Sequence, residues 1–337
     1  MMKCAGWGRW GLAVLAVFVS ACRDSEQTDT VRLYCSVDEV FGRQVVAEFE
    51  KRTGITVQAT YDSEAGKTTG LVNKIEMEKD RPRADVFWSS ELFNTILLAR
   101  KGLLQPYDSP VAADIPPRYR DPDHRWTANG LRGRVIAFDP ARIPADQVPQ
   151  RWVDMDDEGV AAKVVYANPL FGTTRGHVAA MVALWGRDET AGFLTGLRER
   201  GAKMVDGNST AVRELLSGRF VLAATDTDDV VLANRQGATL EMVYPDMGDG
   251  GTLLIPNSIA ILNGAKNVEA AQKLVDFLVS ADVEEMLARS ASQNIPVRTE
   301  LREKLALAMP PETSISYEAV ADAMPEAVEL VREILIR

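Results

Sequence analysis

VRLYCSVDEVFGRQVVAEFEKRTGITVQA, residues 31–59, is the stretch that decides how this chain is read. Val31 to Cys35 is a run of β-formers broken by one charge and reads as a buried strand. Ser36 has Glu39 three residues on, the form of a capping box at a helix start. Phe41, Val45 and Phe49 then recur at every fourth position, which gives a helix one apolar face. Gly54 stops that helix, and Ile55 to Ala59 reads as the next strand. Strand, helix and strand in this order make a βαβ unit, which places the two strands parallel.

The pattern continues outward from there. Thr68 to Glu78 reads as a second helix, Asp85 to Trp88 as a third strand, and Asn94 to Arg100 as a helix closed by Gly102. Such alternation specifies an α/β fold with a parallel sheet covered by helices. Residues Pro106 to Trp126, rich in Pro, Asp and Arg, read as a long connection. Beyond it come strands at Val135–Phe138, Val164–Ala167 and Phe220–Ala224, with helices at Thr174–Trp185 and Ser209–Ser217. Thr252–Leu262 is a β-rich return containing Pro256. Two helices follow Asn267 and Ser280, and a last one runs from Pro325 to Ile336.

Composition narrows the function. About 315 residues follow Cys22, more than one compact core usually holds, so two lobes are expected. A formal charge of −10 without a basic patch argues against a nucleic-acid partner. Cys4, Cys22 and Cys35 are the three cysteines. Cys4 and Cys22 lie in the leading segment, which leaves Cys35 alone, with no partner for an internal disulfide or a cysteine-pair zinc site. No P-loop, Rossmann glycine fingerprint or Gly-x-Ser-x-Gly elbow is present. With His124 and His177 as the two histidines, a Ser-His or Cys-His nucleophile has little material. Composition leaves a secreted carboxylate-dependent hydrolase open as the alternative of another class. The reading as a binding protein and not an enzyme rests on the leading segment, its end Val19-Ser20-Ala21-Cys22, which resembles a lipobox, and the two-lobe pattern.

The first residues have their own pattern. Lys3 and Arg9 precede the uncharged apolar stretch Gly11–Val19. That stretch is shorter than the roughly 20 residues a bilayer-spanning helix needs. Residues 1–21 read as a secretory signal, and the polar residues 22–30 as a tether with little to bury.

Several segments carry a resemblance. Val19-Ser20-Ala21-Cys22 resembles the lipobox of bacterial lipoproteins, which implies cleavage before Cys22 and a lipid on its thiol. The protein would then lie in the periplasm or cell envelope, anchored to a membrane. Glu48-Phe49-Glu50-Lys51-Arg52-Thr53-Gly54-Ile55, Ala84-Asp85-Val86-Phe87-Trp88 and Lys101-Gly102-Leu103-Leu104 resemble the first part of periplasmic solute-binding proteins of ABC importers. Leu262 to Ala271, continuing to Phe277-Leu278, and then Pro296-Val297-Arg298 resemble their later part. The similarity covers nearly all of the chain past the tether and is closest to the ferric-iron-binding branch of the family 1 type.

The resemblance implies a two-lobe periplasmic-binding-protein fold with a hinge and an interlobe ligand cleft. Residues 31–130 plus 258–337 would form lobe 1, and 131–257 lobe 2, with crossovers near Asn129–Val135 and Leu253–Ala260. It further implies a monomer that delivers its cargo to an ABC permease in the inner membrane. The implied cargo is a metal ion such as ferric iron, with no other cofactor. One departure bears on that. Iron-binding members carry adjacent tyrosines where this chain has Thr225-Asp226-Thr227-Asp228. A polyamine, thiamine or a phosphonate-type ligand are the alternatives.

Ligands of open α/β sheets sit beyond the carboxyl ends of the strands. The candidates there are Asp38 and Glu39, then Ser89, Ser90 and Glu91, then Thr173 and Thr174, then Thr225, Asp226, Thr227 and Asp228. Carboxylates clustered at Asp226 to Asp229 repel one another unless a cation or donors offset them. Glu91 and this segment are therefore expected to face each other around a positive centre. The helix start at Thr173 and Thr174 suits an anion instead. Tyr61-Asp62-Ser63-Glu64 and Trp88 could serve an amine. Replacing the lipobox cysteine, Cys22→Ser, is expected to release the protein from the membrane fraction. Mass spectrometry of the wild type checks this, and an unlipidated soluble protein would contradict it.

Overall fold

The computed structural model describes residues 30–62 and 68–336. The expected signal, Cys22 and most of the tether lie outside the described residues. Strand β1 (Thr30–Cys35), helix α1 (Glu39–Thr53) and strand β2 (Thr56–Tyr61) form the expected unit. The two strands pair in parallel, with Val31 opposite Val57. Phe41, Val45, Val46 and Phe49 give α1 its buried face. Gly54, at φ 72°, returns its N–H to Glu50 O and closes the helix, a left-handed cap that glycine takes without steric cost.

Helix α2 (Thr69–Met77), β3 (Val86–Ser89) and α3 (Phe93–Arg100) complete the first half. A two-residue β4 (Leu104–Gln105) and short 3₁₀ turns fill the long connection. Strand β5 then runs for 12 buried residues, Thr127–Phe138. The second half holds β6 (Val164–Ala167), α4 (Gly172–Trp185), α5 (Arg187–Glu199), β7 (Lys203–Val205), α6 (Asn208–Leu216), β8 (Leu222–Asp226), α7 (Thr227–Arg235) and β9 (Glu241–Val243). Strand β10 (Leu254–Leu262) returns to the first half. Helices α8 (Val268–Leu278), α9 (Ala281–Arg289), α10 (Thr299–Lys304) and α11 (Tyr317–Leu335) follow.

The strand order is β2-β1-β3-β10-β5-β8-β6-β7, with β4 on β10 and β9 on β5. Residues 127–133 of β5 pair antiparallel with β10, while Arg134–Phe138 pair with β8. One strand thus belongs to both lobes of this α/β fold. The return crosses beside it, where Arg134 N–H donates to Leu253 O at 3.0 Å. Pro256 sits where the β10–β5 register shifts between Pro256 and Ser258, a bulge that accommodates a residue with no N–H to give the ladder.

Several local expectations need correction. The capping box does not form. Asp38 precedes α1 without a side-chain cap, Glu39 is exposed and pairs with Arg43, and the Ser36 hydroxyl accepts from Ser90 N–H at 2.9 Å. Strand β5 begins at Thr127 and not at Val135, because Asn129, Arg132 and Arg134 are buried with partners in mid-strand. The acidic run is a helix start, with α7 beginning at Thr227. Ser280 does cap α9, accepting from Val283 N–H. Asn267 makes no cap of its own, and Asp85 accepts its N–H and that of Lys266. The last helix starts at Tyr317, eight residues before the proline taken as its first residue. Ser316 caps it by accepting from Ala319 N–H, and Pro325 lies inside it.

Helix α11 packs against α4 and α5 of the second half and against α3 of the first. The expected assignment of residues 258–337 to lobe 1 thus includes a helix that reaches both halves. Arg100 of α3 pairs with Asp322, and Arg187 of α5 with Glu333.

Where α3 and α4 approach, Gly176 lies directly under the Phe93 ring, and a Cβ at this position would overlap it. Replacing a helical glycine by alanine ordinarily stabilises by roughly 0.5–1 kcal/mol. Here Gly176→Ala is expected to push the halves apart and to raise the radius of gyration in small-angle scattering. Adding Phe93→Ala is expected to restore the compact profile, and an unchanged profile in the single variant would show that this contact does not set the spacing of the halves.

Candidate functional site

The carboxyl ends of β1 and β3 bring three hydroxyls together on the first lobe. Thr68 Oγ1 lies 3.2 Å from Ser36 Oγ and 3.1 Å from Ser90 Oγ. All three side chains are buried. Thr68 holds φ at 65°, a region costly for a β-branched residue and kept only where neighbours over-determine it. Ser90 faces a cleft pocket of about 30 Å³ whose other polar walls include Arg132 on β5, Thr173 and Thr174 at the start of α4, Asp206 and Asn208 at the start of α6, and Asp226 at the end of β8.

The floor of this pocket is a charge network. Asp226 accepts from Arg134 Nη1 at 2.6 Å, from Thr173 Oγ1 at 2.6 Å and from Asn208 Nδ2 at 2.8 Å. Arg134 and Asp226 are 0% and 2% exposed. Two residues along β5, on the same face, Arg132 pairs with Asp228 at 2.9 Å and donates to Asn257 Oδ1 at 2.9 Å. Burial works to lower the Arg132 pKa, but Asp228, Asp226, Asp38 and Asp229 outweigh it and hold the guanidinium above its ordinary value. Arg132 stays charged, and its Nε has no hydrogen-bond partner among the described residues.

The residues singled out from sequence fall into three groups. Ser90, Thr173, Thr174 and Asp226 line the cleft pocket, and Asp228 stands behind Arg132. Asp38 lies near enough to act on the Arg132 charge. Others hold structure together. Ser89 donates to Glu91 O at 2.6 Å, Thr225 donates to Asp229 at 3.0 Å, and Thr227 accepts from Gly133 N–H. Glu91 is fully buried and accepts from both Asn94 N–H and Asn94 Nδ2. Burial raises its pKa, and Arg175 is the charged group acting on it. Glu39 is on the surface. Of the amine candidates, Trp88 is buried in the core, Asp62 accepts from Leu71 N–H at the start of α2, and Ser63 and Glu64 lie outside the described residues.

Sequence reasoning missed Arg132, Arg134, Thr68 and Asn208. A signal for the first two was present. Leu131-Arg132-Gly133-Arg134-Val135 places two arginines at alternate positions, which in a strand point to one side.

The donor set can be tested against a metal cation. Oxygens of Asp226, Asp228 and Asp229 lie within 4.8 Å of one another, a grouping that could hold an ion. Asp226, however, already accepts three hydrogen bonds, and Asp228 has a guanidinium at ion-pair distance. A hard trivalent cation would enter beside two buried positive charges. An oxyanion would find donors beside the lining carboxylates Asp206 and Asp226. The first amides of α4 and α6 have no acceptor within their own helices, helix N-termini favour negative charge, and Arg132 and the Ser90 hydroxyl complete the ring.

Comparison with known proteins agrees with this architecture. A family model described as bacterial extracellular solute-binding protein matches residues 44–315. A probable ABC transporter periplasmic-binding protein, y4fP, of Sinorhizobium fredii is 27% identical over 265 residues, 76% of this chain and 70% of the relative. A putative 2-aminoethylphosphonate-binding periplasmic protein of Salmonella typhimurium is 26% identical over 304 residues, 86% of this chain and 85% of the relative. Among solved structures, the ferric binding protein from Campylobacter jejuni superposes with a TM-score of 0.81 at 21% identity, covering 90% of this chain and 99% of that one. With the family model spanning most of the chain and the two-lobe fold shared, this protein belongs to the bacterial extracellular solute-binding protein family.

Proposed function

We propose that this protein captures a small oxyanion-bearing ligand, of the phosphonate type, in its interlobe cleft and delivers it to an ABC permease. The observation that carries this reading is the pairing of Asp226 with Arg134 and of Asp228 with Arg132. The pairing offsets part of the acidic run and leaves the starts of α4 and α6 and the Arg132 side chain lining the cleft pocket. The Ser90 hydroxyl, held by Ser36 and Thr68, supports it from the opposite lobe as a donor to a phosphoryl oxygen. Ferric iron, the cargo named for several relatives, finds weaker support. The tyrosine pair of the iron-binding branch is replaced by Thr225-Asp226-Thr227-Asp228, and Asp226 and Asp228 pair with guanidiniums. The Val19 to Cys22 motif supports a lipid-anchored location in the cell envelope, and the family supports transport over catalysis.

Calorimetric titration tests the ligand class. Inorganic phosphate or methylphosphonate is expected to bind, and ferric citrate to give no heat beyond that of citrate. Removing Arg132 alone would strand the Asp228 charge, so the informative variant is Arg132→Gln with Asp228→Asn. It is expected to melt cooperatively and to lose about 1.5–3 kcal/mol of oxyanion affinity, the usual worth of a hydrogen bond to a charged group. Tight iron binding with no response to phosphate or methylphosphonate would overturn the reading.

A further inference from the structure

Behind the cleft wall, inside the second lobe, lies a cavity of about 40 Å³. Thr174 lines both spaces. Most of the inner wall is apolar, with Met181, Phe193 and Leu194 among its residues, but Arg134, Trp152 and His177 also face it. These three side chains are 0%, 1% and 3% exposed. Arg134 Nε and Nη2, Trp152 Nε1 and His177 Nε2 have no hydrogen-bond partner among the described residues. The hydrogen bonds of the Arg134 side chain run from Nη1 to Asp226, Thr173 and Asn208. The Trp152 and His177 rings meet edge-on with centroids 4.2 Å apart. Native interiors leave few buried polar groups without partners, so several around one cavity mark a place shaped for hydrogen-bonding atoms.

The chemistry of those atoms narrows the occupant. Arg134 and Trp152 can only donate, so the occupant must carry an acceptor. Asp226 already balances the Arg134 charge at 2.6 Å, so a second anion would be uncompensated in a buried space. A cation would meet the guanidinium. Burial, and then the Arg134 charge, hold the His177 pKa well below its ordinary value, so the imidazole adds no charge. What fits is neutral and bears an oxygen. The volume holds roughly three water-sized groups, which limits the occupant to a short arm.

We propose that this cavity is an inner subsite of the cleft that receives a neutral hydroxyl- or carbonyl-bearing arm of the ligand whose oxyanion end sits between Ser90, Arg132 and the starts of α4 and α6. The proposal rests on the oxyanion reading of the cleft. It makes the preferred ligand a short hydroxy- or oxo-substituted phosphonate or phosphate, and it disfavours an ammonium-bearing arm, which has no lone pair to offer these donors. Ordered water presents the same chemistry as a hydroxyl, and the test separates the two.

Matched probes read the subsite directly. In calorimetric titrations of the full chain, hydroxymethylphosphonate is expected to bind at least tenfold more tightly than methylphosphonate, and aminomethylphosphonate no more tightly than methylphosphonate. Trp152→Phe removes one donor and keeps a ring. It is expected to cut the hydroxymethyl advantage at least threefold while leaving the methylphosphonate Kd unchanged. Val178→Ile, which adds a methyl to the wall, is expected to do the same, and melting curves establish that both variants fold. Equal affinity for the three probes overturns the proposal, as does equal weakening of all three by Trp152→Phe. A crystal structure of the hydroxymethylphosphonate complex with water alone in the cavity overturns it too. Failure of all three probes and of inorganic phosphate to bind overturns the oxyanion reading of the cleft, and the inner subsite with it.

Discussion

The buried ion pair between Arg134 and Asp226 is the interaction on which the rest of the cleft depends. It sits where β5 exchanges one neighbour for another, and the two residues are opposite each other in the β5–β8 register. Separating such a pair by removing one partner leaves an uncompensated charge in the interior and costs about 3–5 kcal/mol. The pair is also a junction. Thr173 ties it to the start of α4, Asn208 to the start of α6, and the Arg134 backbone to the returning chain at Leu253. Strand register, helix placement and lobe crossover therefore converge on one guanidinium. This explains how a charged residue persists, fully enclosed, in the middle of a strand.

A second consequence is electrostatic. Asp226 and Asp228 would make the cleft strongly negative if they stood alone. With Arg134 and Arg132 beside them, those two charges are offset, and the helix N-termini and the hydroxyl groups add donors next to the carboxylates that remain. Acidic residues in the first turn of α7 are themselves favourable at a helix start, so part of the acidic run is accounted for by the helix it begins. The strained backbone of Thr68 belongs to the same picture. Its hydroxyl is held between Ser36 and Ser90, and Ser90 faces the α4 and α6 starts across the cleft pocket.

The two lobes are not joined by strands alone. Helix α11 lies against α3, α4 and α5, and ion pairs attach it to both sides. Exposed ion pairs of this kind are individually weak. The buried apolar face of α11, with Val320, Met324, Ala327 and Val331, carries most of its attachment. Any relative motion of the lobes must slide this face or bend around it.

The sequence alone determined the fold class, because the period of apolar residues is a local property. The βαβ order from Val31 onward, the α1 stop at Gly54 and the strand at Val164–Ala167 could all be read from spacing and a few turn residues. The return through Pro256 and the family resemblance were legible in the same way. The serine and threonine candidates at strand ends were legible too, since sheet geometry alone puts ligands there. What only the tertiary structure decided is which charges stand beside the acidic run. Asp226 and Asp228 read as unpaired carboxylates because a sequence shows charges without their partners. Arg134 is 92 residues from Asp226, and Arg132 lies in a segment whose polar residues hid a strand. Ser36 looked like a cap until the fold brought Ser90 to its hydroxyl from 54 residues away. Helix formation depends on neighbours a few residues apart, whereas the potential in a cleft is the sum over groups that only the packed chain brings within a few ångströms.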